Sequence, residues 1–193
     1  MQKLKHLIIK NRSYRRFHED LKISMDDLHD WIDNARLSSS AKNMQPLRYI
    51  LCSDENVNAK IFDCLMWAAY LKDWDGPVPG ERPSAYIVML ADKEITDNYF
   101  CDDGIAAQSI LLGAVEKGYG GCIIASVSRE RLRNYLQIDD KYKIIQVIAL
   151  GKPKEEVVLD ELPENGDIKY WRDSNLVHHV PKRALEELIV RVL

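Results

Sequence analysis

Two short polar stretches carry the residues of this chain best suited to holding a ligand: Arg12-Ser13-Tyr14-Arg15-Arg16-Phe17 and Ser38-Ser39-Ser40-Ala41-Lys42-Asn43-Met44-Gln45-Pro46. Arginine brings a permanent charge on a planar fork that matches phosphate, while Ser, Asn and Gln add shorter donors and acceptors. Such a set suits an anion joined to a heteroaromatic ring. Taken alone, the arginine cluster reads equally well as solvated charge near a helix end. Other chemistries are thinner. His178 and His179 are adjacent, so on a strand they point to opposite faces, and no HExxH or cysteine partner accompanies them; no metal site is expected. No GxSxG elbow supports a serine hydrolase. Asp102 and Asp103 could form an acid pair, but they fall where a helix begins, and acidic side chains stabilise helix N-termini in any case. Asn11-Arg12-Ser13 is a formal glycosylation sequon and means nothing without a secretory signal.

Both polar stretches border predicted elements. A short helix over 2–10 leads into the arginines. Ser24 reads as an N-cap with Asp27 three residues on, and Met25, Leu28, Trp31, Ile32 and Ala35 follow at helical spacing. The serine run ends that helix, and Pro46 blocks its continuation through Gln45. A strand over 48–52 and a helix over 56–71 come next, then the Gly/Pro-rich stretch 75–83, which reads as a crossover or as a mobile flap with Trp74 beside it. Residues 85–91 and 144–150 are buried strands, 123–125 is a short one, and 103–117 and 128–136 are helices, the first apolar on nearly every side. The turn Gly118-Tyr119-Gly120-Gly121 follows a helix and precedes a strand, the reverse of a dinucleotide-binding fingerprint. It serves as a helix C-cap, as a place where backbone approaches a flat ligand, or as both. Alternating strands and helices make this one layered α/β or α+β domain.

Composition sets the outer bounds. The 193 residues are 46% hydrophobic and 30% charged with a net charge of −3, the make-up of a globular protein with one sizeable core and no electrostatic case for nucleic acid or anionic lipid. Residues 1–6 contain basic side chains with no long apolar run behind them, and no run is long enough to cross a bilayer. Cys52, Cys64, Cys101 and Cys122 have no paired spacing, and reduced thiols in a cytoplasmic protein are expected.

The order of these motifs resembles that of the FMN-dependent nitroreductase family. An RSxRxF stretch is followed some thirty residues later by SSxxNxQP, here Ser39 to Pro46. Gly104-Ile105-Ala106-Ala107-Gln108 through the glycine turn to Cys122 is similar to the family's central helix and turn, and Ala149-Leu150-Gly151-Lys152-Pro153 to its last core strand. The resemblance spans most of the chain. It implies a three-layer α/β/α sandwich around a mixed, mainly antiparallel sheet, within an interlocked homodimer that binds FMN at the interface. Residues 1–193 then form one domain whose tail, 167–193, packs on the partner subunit and covers Tyr170, Trp171, Val177 and Val180.

By position, the resemblance places Arg12, Ser13 and Arg15 on the flavin, with Arg15 near the pyrimidine edge. Ser39, Ser40, Asn43 and Gln45 reach it from the partner, Ile124, Ala125 and Ser126 lie beside N5, and Lys182 or Arg183 lies on the phosphate. The implied activity is NADH- or NADPH-dependent reduction of nitroaromatics, quinones or other conjugated acceptors by ping-pong hydride transfer, with no catalytic side chain because the flavin carries the chemistry. The same fold also hosts dehalogenation, flavin destruction and azoline oxidation, and a non-catalytic flavin-binding module is the more distant alternative. Two departures stand out. Asn11 occupies a position where members often carry a second basic residue, and the 74–83 loop lies where members vary most, so substrate choice does not transfer.

Overall fold

Unbroken apolar runs make the two central strands. In the computed structural model, which describes residues 3–193, β3 (Ala85–Asp92) is buried along its whole length and β5 (Tyr142–Pro153) along its middle. A strand buried on both faces needs cover on both sides. Ala85, Ile87, Met89 and Ala91 enter one core with Leu28, Trp31, Ala107 and Ile110. Tyr86, Val88 and Leu90 enter the other with Ile61, Leu132 and Ile138. The period-two alternation of the strand thus separates two helical layers, the three-layer α/β/α sandwich expected.

The first layer is α2 (Met25–Leu37) and α4 (Asp102–Glu116); the second is α3 (Glu55–Phe62) and α5 (Arg129–Leu136). Between them β2 (Leu47–Cys52), β3 and β5 form an antiparallel ladder, with Ile50 opposite Val88 and Ile87 opposite Ile148. The far edge of β5 is shared. β4 (Gly120–Ile124) pairs with its residues 147–151, and the two-residue β1 (Phe17–His18) pairs with Lys152 and Pro153. A second sheet joins β6 (Val157–Glu161) to β8 (His178–Lys182) in parallel and β7 (Trp171–Arg172) to β8 antiparallel. Short helices α1 (Lys3–Lys10) and α6 (Leu185–Leu188) lie near the ends of the chain.

Local chemistry accounts for most boundaries. Ser24 Oγ accepts the Asp27 N–H at 3.0 Å and donates to the Asp27 carboxylate at 2.7 Å, so the expected cap opens α2. Gly118, at φ +78°, takes the left-handed position after α4, where its N–H and that of Tyr119 bond to Val115 and Ala114 carbonyls. α1 is seen from Lys3; Gln2, where the helix was expected to begin, lies outside the described residues. Met25 proves exposed although it matches the apolar spacing of α2. Cys52, Cys64 and Cys122 are buried free thiols and Cys101 is exposed. Among the described residues no helix is long and apolar enough to cross a membrane.

One element departs from expectation. The helix expected over 56–71 stops at Phe62, with Asp63 as its C-cap. Beyond it the backbone is taken by another segment: Met66 N–H donates to the Ser126 carbonyl at 3.0 Å, Ser128 N–H to the Cys64 carbonyl at 2.8 Å, and Leu65 bridges to Val127. Helical periodicity continued through 71, but bonds to a distant loop replaced those of the next turn.

The 75–83 stretch is a fastened crossover. Glu81 accepts two bonds from the Arg16 guanidinium at 2.6 and 2.7 Å and sits 3.1 Å from Lys154 Nζ, while its carbonyl receives the Phe17 N–H. Gly80 and Arg82 N–H groups both donate to Glu19. The ion pairs, led by the Arg16 hydrogen bonds, hold the Glu81 carboxyl down to about 2 from an ordinary 4.5. A depressed carboxyl stabilises the fold above its unfolded value, and that contribution is lost as pH falls through the folded one. Glu81→Gln is expected to lower stability by about 2–3 kcal/mol at neutral pH. In denaturant titrations its gap from wild type should narrow across pH 4.5 to 2, the interval set by the two carboxyl values.

Candidate flavin site

The arginine stretch is a coil held in place from four directions. Ser13 bridges to Gly121, and the Tyr14 N–H donates to the Gly121 carbonyl at 3.0 Å. Gly120 permits this approach, since a Cβ there would stand 2.5 Å from the Tyr14 ring. Phe17, fully buried, packs against Gly151, where a Cβ would stand 2.7 Å from its ring. Glu155, just beyond β5, supplies the fourth restraint. Its Oε1 accepts the backbone N–H of Arg15 and, at 3.2 Å, that of Arg16, while Oε2 accepts Arg172 Nη2 at 2.9 Å. The Glu155 side chain has no exposed surface.

With the backbone fixed, the side chains divide. Arg16 is consumed by Glu81. Arg12 and Arg15 turn to a cavity of about 240 Å³ lined also by Asn11, Ser13, Tyr170, His178, Val180 and Lys182. Alternation along β8 brings His178, Val180 and Lys182 to this face and sends His179 the other way, to Asp160 at 2.8 Å and a stacked Trp171. The Arg12 guanidinium donates to the Ile8 carbonyl at 2.7 Å, its Nε is buried without a partner, and burial lowers its pKa from the usual value. Arg15 Nη1 reaches the Ser13 carbonyl at 3.1 Å and His178 Nε2 at 3.4 Å, beneath the Tyr170 ring at 4.8 Å. The nearby ion pairs are Arg16–Glu81 and Arg172–Glu155; among the described residues no carboxylate lies within 4.0 Å of the side-chain nitrogens of Arg12, Arg15 or Lys182.

Arg15 and Tyr170 also line an adjoining cavity of about 160 Å³ with Met66, Trp67, Ala68, Ile124, Ala125 and Ser126. The structure therefore brings Arg12, Ser13, Arg15, Ile124, Ala125, Ser126 and Lys182 to one groove. Arg183 instead pairs with Glu187 at 3.2 Å, so of the two basic residues Lys182 faces the arginines. Ser39, Ser40 and Gln45 line a separate cavity of about 230 Å³ between α2, β2 and the start of α4, and none of its lining residues belongs to the arginine groove. Asn43 is exposed beside them.

Sequence reasoning missed that Tyr170, His178 and Asp102 line the candidate cavities and that Glu155 and Arg172 brace the arginine stretch. Glu155 and Arg172 carried no motif. The sequence marks His178 only as a candidate metal ligand. Burial, then the charges of Arg15, Arg172 and His179, press its pKa from 6.5 down to about 4, so it is a neutral ring that can accept from Arg15.

This geometry offers cations without acidic partners at one end, an unsatisfied Arg12 Nε, and at the other a floor whose exposed surface is mainly polar, beside the rings of Trp67 and Tyr170. A phosphate-bearing flat ring fits that donor set. The model of the nitroreductase family matches residues 8–152. The chain belongs to the nitroreductase family. A protein of Archaeoglobus fulgidus, provisionally named an NADH dehydrogenase/NAD(P)H nitroreductase, is 29% identical over 164 residues, covering 81% of this chain and 88% of its own. Among solved structures, a nitroreductase family protein from Clostridium novyi NT is 26% identical with a TM-score of 0.65, over 79% of this chain and 88% of that one. An FMN-dependent nitroreductase from Clostridium difficile R20291 is 26% identical with a TM-score of 0.64, over 78% and 87%.

Two outcomes follow for the restraints. Glu155→Ala leaves the Arg172 charge and two backbone N–H groups without their acceptor, and is expected to cost about 3–5 kcal/mol in unfolding titrations. His178 should remain neutral at pH 5.5 in an NMR titration, a value between its folded 4 and unfolded 6.5. Because the unfolded chain takes up the proton first, wild type should lose stability relative to His178→Gln as pH falls from 6.5 to 4.

Proposed function

We propose that the chain is an FMN-dependent oxidoreductase that uses NADH or NADPH to reduce nitroaromatics, quinones or other conjugated acceptors. The observation that carries this reading is the pair of adjoining cavities, sharing Arg15 and Tyr170, that place Arg12 and Lys182 at one end and Ile124, Ala125 and Ser126 at the other on a chain of this family. Bound FMN supplies a two-electron carrier that takes hydride from a nicotinamide and passes it to an acceptor.

The residues supply placement and charge. Arg12 and Lys182 neutralise the phosphate, with Ser13 beside them. Arg15, fixed by the Ser13 carbonyl and His178, sets a positive charge against the electron-rich edge of the ring, where reduction adds negative charge. Ile124, Ala125 and Ser126 form the floor. Met66, Trp67 and Tyr170 line the open side of this cavity, where a flat donor and a flat acceptor can stack in turn. No side chain with a tuned pKa is required.

The remaining site residues, Ser39, Ser40, Asn43 and Gln45, contribute from the partner subunit of a homodimer. Their cavity is separate from the arginine groove within one chain, which supports sharing between chains. The tail expected on the partner spans 167–193, but Tyr170 and β8 pack on the chain's own arginine stretch, so the proposal for the partner narrows to the end of the tail. Its Leu185, Leu188, Val192 and Leu193 are exposed and apolar, a surface suited to burial against a second copy.

Two measurements test this. The purified protein is expected to show flavin absorbance that bleaches on adding NADH or NADPH; a protein that stays colourless after incubation with FMN overturns the reading. Arg15→Ala and Asn43→Ala chains should each retain FMN poorly and reduce menadione slowly. Co-expressed, they should recover activity, because a mixed dimer assembles one intact site. No recovery in isolated mixed dimers would refute sharing between subunits.

A further inference from the structure

The loop that carries Ser39, Ser40, Asn43 and Gln45 is strained. Lys42, Asn43 and Gln45 have φ of 53°, 54° and 51°, left-handed backbone that non-glycine residues seldom adopt. Gln45 also precedes Pro46, which restricts it further. A free segment of this composition would relax away from such a shape, so something must over-determine it.

That restraint is Asp102, the first residue of α4 and only 3% exposed. One carboxylate oxygen accepts Ser40 Oγ–H at 2.6 Å and the other accepts the Ala41 N–H at 2.9 Å. Ser40 Oγ in turn accepts the Gln45 N–H at 2.9 Å, closing the loop on itself. Within it, Asn43 and Met44 N–H groups bond to the Ser40 and Ala41 carbonyls. A single buried carboxylate therefore ties both ends of the loop to the N-terminus of the central helix. It also lines the cavity that Ser39, Ser40 and Gln45 present.

We propose that Asp102 is a positioning residue for the flavin site: it clamps the 40–45 loop in its strained shape and so sets the partner-facing half of that site. The proposal rests on the assignment of this loop to FMN made above. Asp102 has both of its carboxylate oxygens engaged by the loop, one by Ser40 and one by Ala41. Its effect passes through Ser40 and Ala41, and removing it lets the left-handed residues relax, which withdraws Asn43 and Gln45 from the ligand.

The test is FMN titration of the flavin-stripped protein, below the melting temperature of every variant. Asp102→Ala, and Ser40→Ala as a variant that leaves α4 intact, should each weaken FMN binding about tenfold or more, the scale of losing hydrogen bonds to a charged group. Glycine tolerates positive φ without strain, so Lys42→Gly in the Asp102→Ala background should recover part of the lost affinity. A purely structural carboxylate would lower the melting temperature in Asp102→Ala, leave the FMN affinity as it was and overturn the proposal; so would a loss of affinity that Lys42→Gly does not reduce. If wild type takes up no FMN, the flavin reading fails. The clamp is then judged by hydrogen exchange at the Ala41 and Gln45 amides, whose protection Asp102→Ala must abolish for it to stand.

Discussion

Glu155 has no exposed side-chain surface, yet it carries a charge, and the site depends on how that charge is compensated. Two backbone N–H groups of the arginine stretch and one guanidinium of the tail converge on its two oxygens. Buried ion pairs are weak sources of net stability, because desolvation offsets most of the attraction, but they are unforgiving of rearrangement. Glu155 can be buried only if Arg15, Arg16 and Arg172 stand where they do. The constraint therefore locks residues far apart in sequence into one arrangement. Arg12 and Arg15 are left to face the groove, and Tyr170, two residues before Arg172, is left to cover it.

Cations in this region thus have unlike fates under one rule. Arg16 and Arg172 are matched with carboxylates and serve the fold. Arg12, Arg15 and Lys182 face one cavity without acidic partners, their charge available to a ligand. A sequence stretch dense in arginine divides into structural and ligand-facing halves according to which side chains the buried carboxylates reach.

The helix α4 touches both polar stretches, which under the proposed sharing between subunits serve two different sites of the dimer. Gln108, midway along it, accepts from Asn11 beside the arginine stretch, and Asp102, at its start, holds the serine loop. The helix is buried along one broad face and packed against α2, where a Cβ on Gly113 would stand 2.5 Å from Asn34. A shift of the helix against the sheet would move both ligand-facing segments together.

What the chain declared on its own were local and periodic properties. Trp31 and its helical neighbours, the alternating faces of β3, the Ser24 cap and the left-handed Gly118 each depend on residues within one or two turns, and the structure agrees with them. The motif order that marks the family was legible in the same way, as was the polar character of the arginine and serine stretches. Non-local partners decided the rest. Helix α3 ends at Phe62 because the 126–128 loop bonds the chain beyond it. Lys182 rather than Arg183 faces the arginines because pairing with β6 sets the phase of β8. The roles of Glu155, His178 and Asp102 follow from burial beside specific donors, and no pattern within sequence reach encodes that. Periodicity and capping act along the chain and can be read there. The compensation of a buried charge is settled across the fold, where only tertiary structure names the partner.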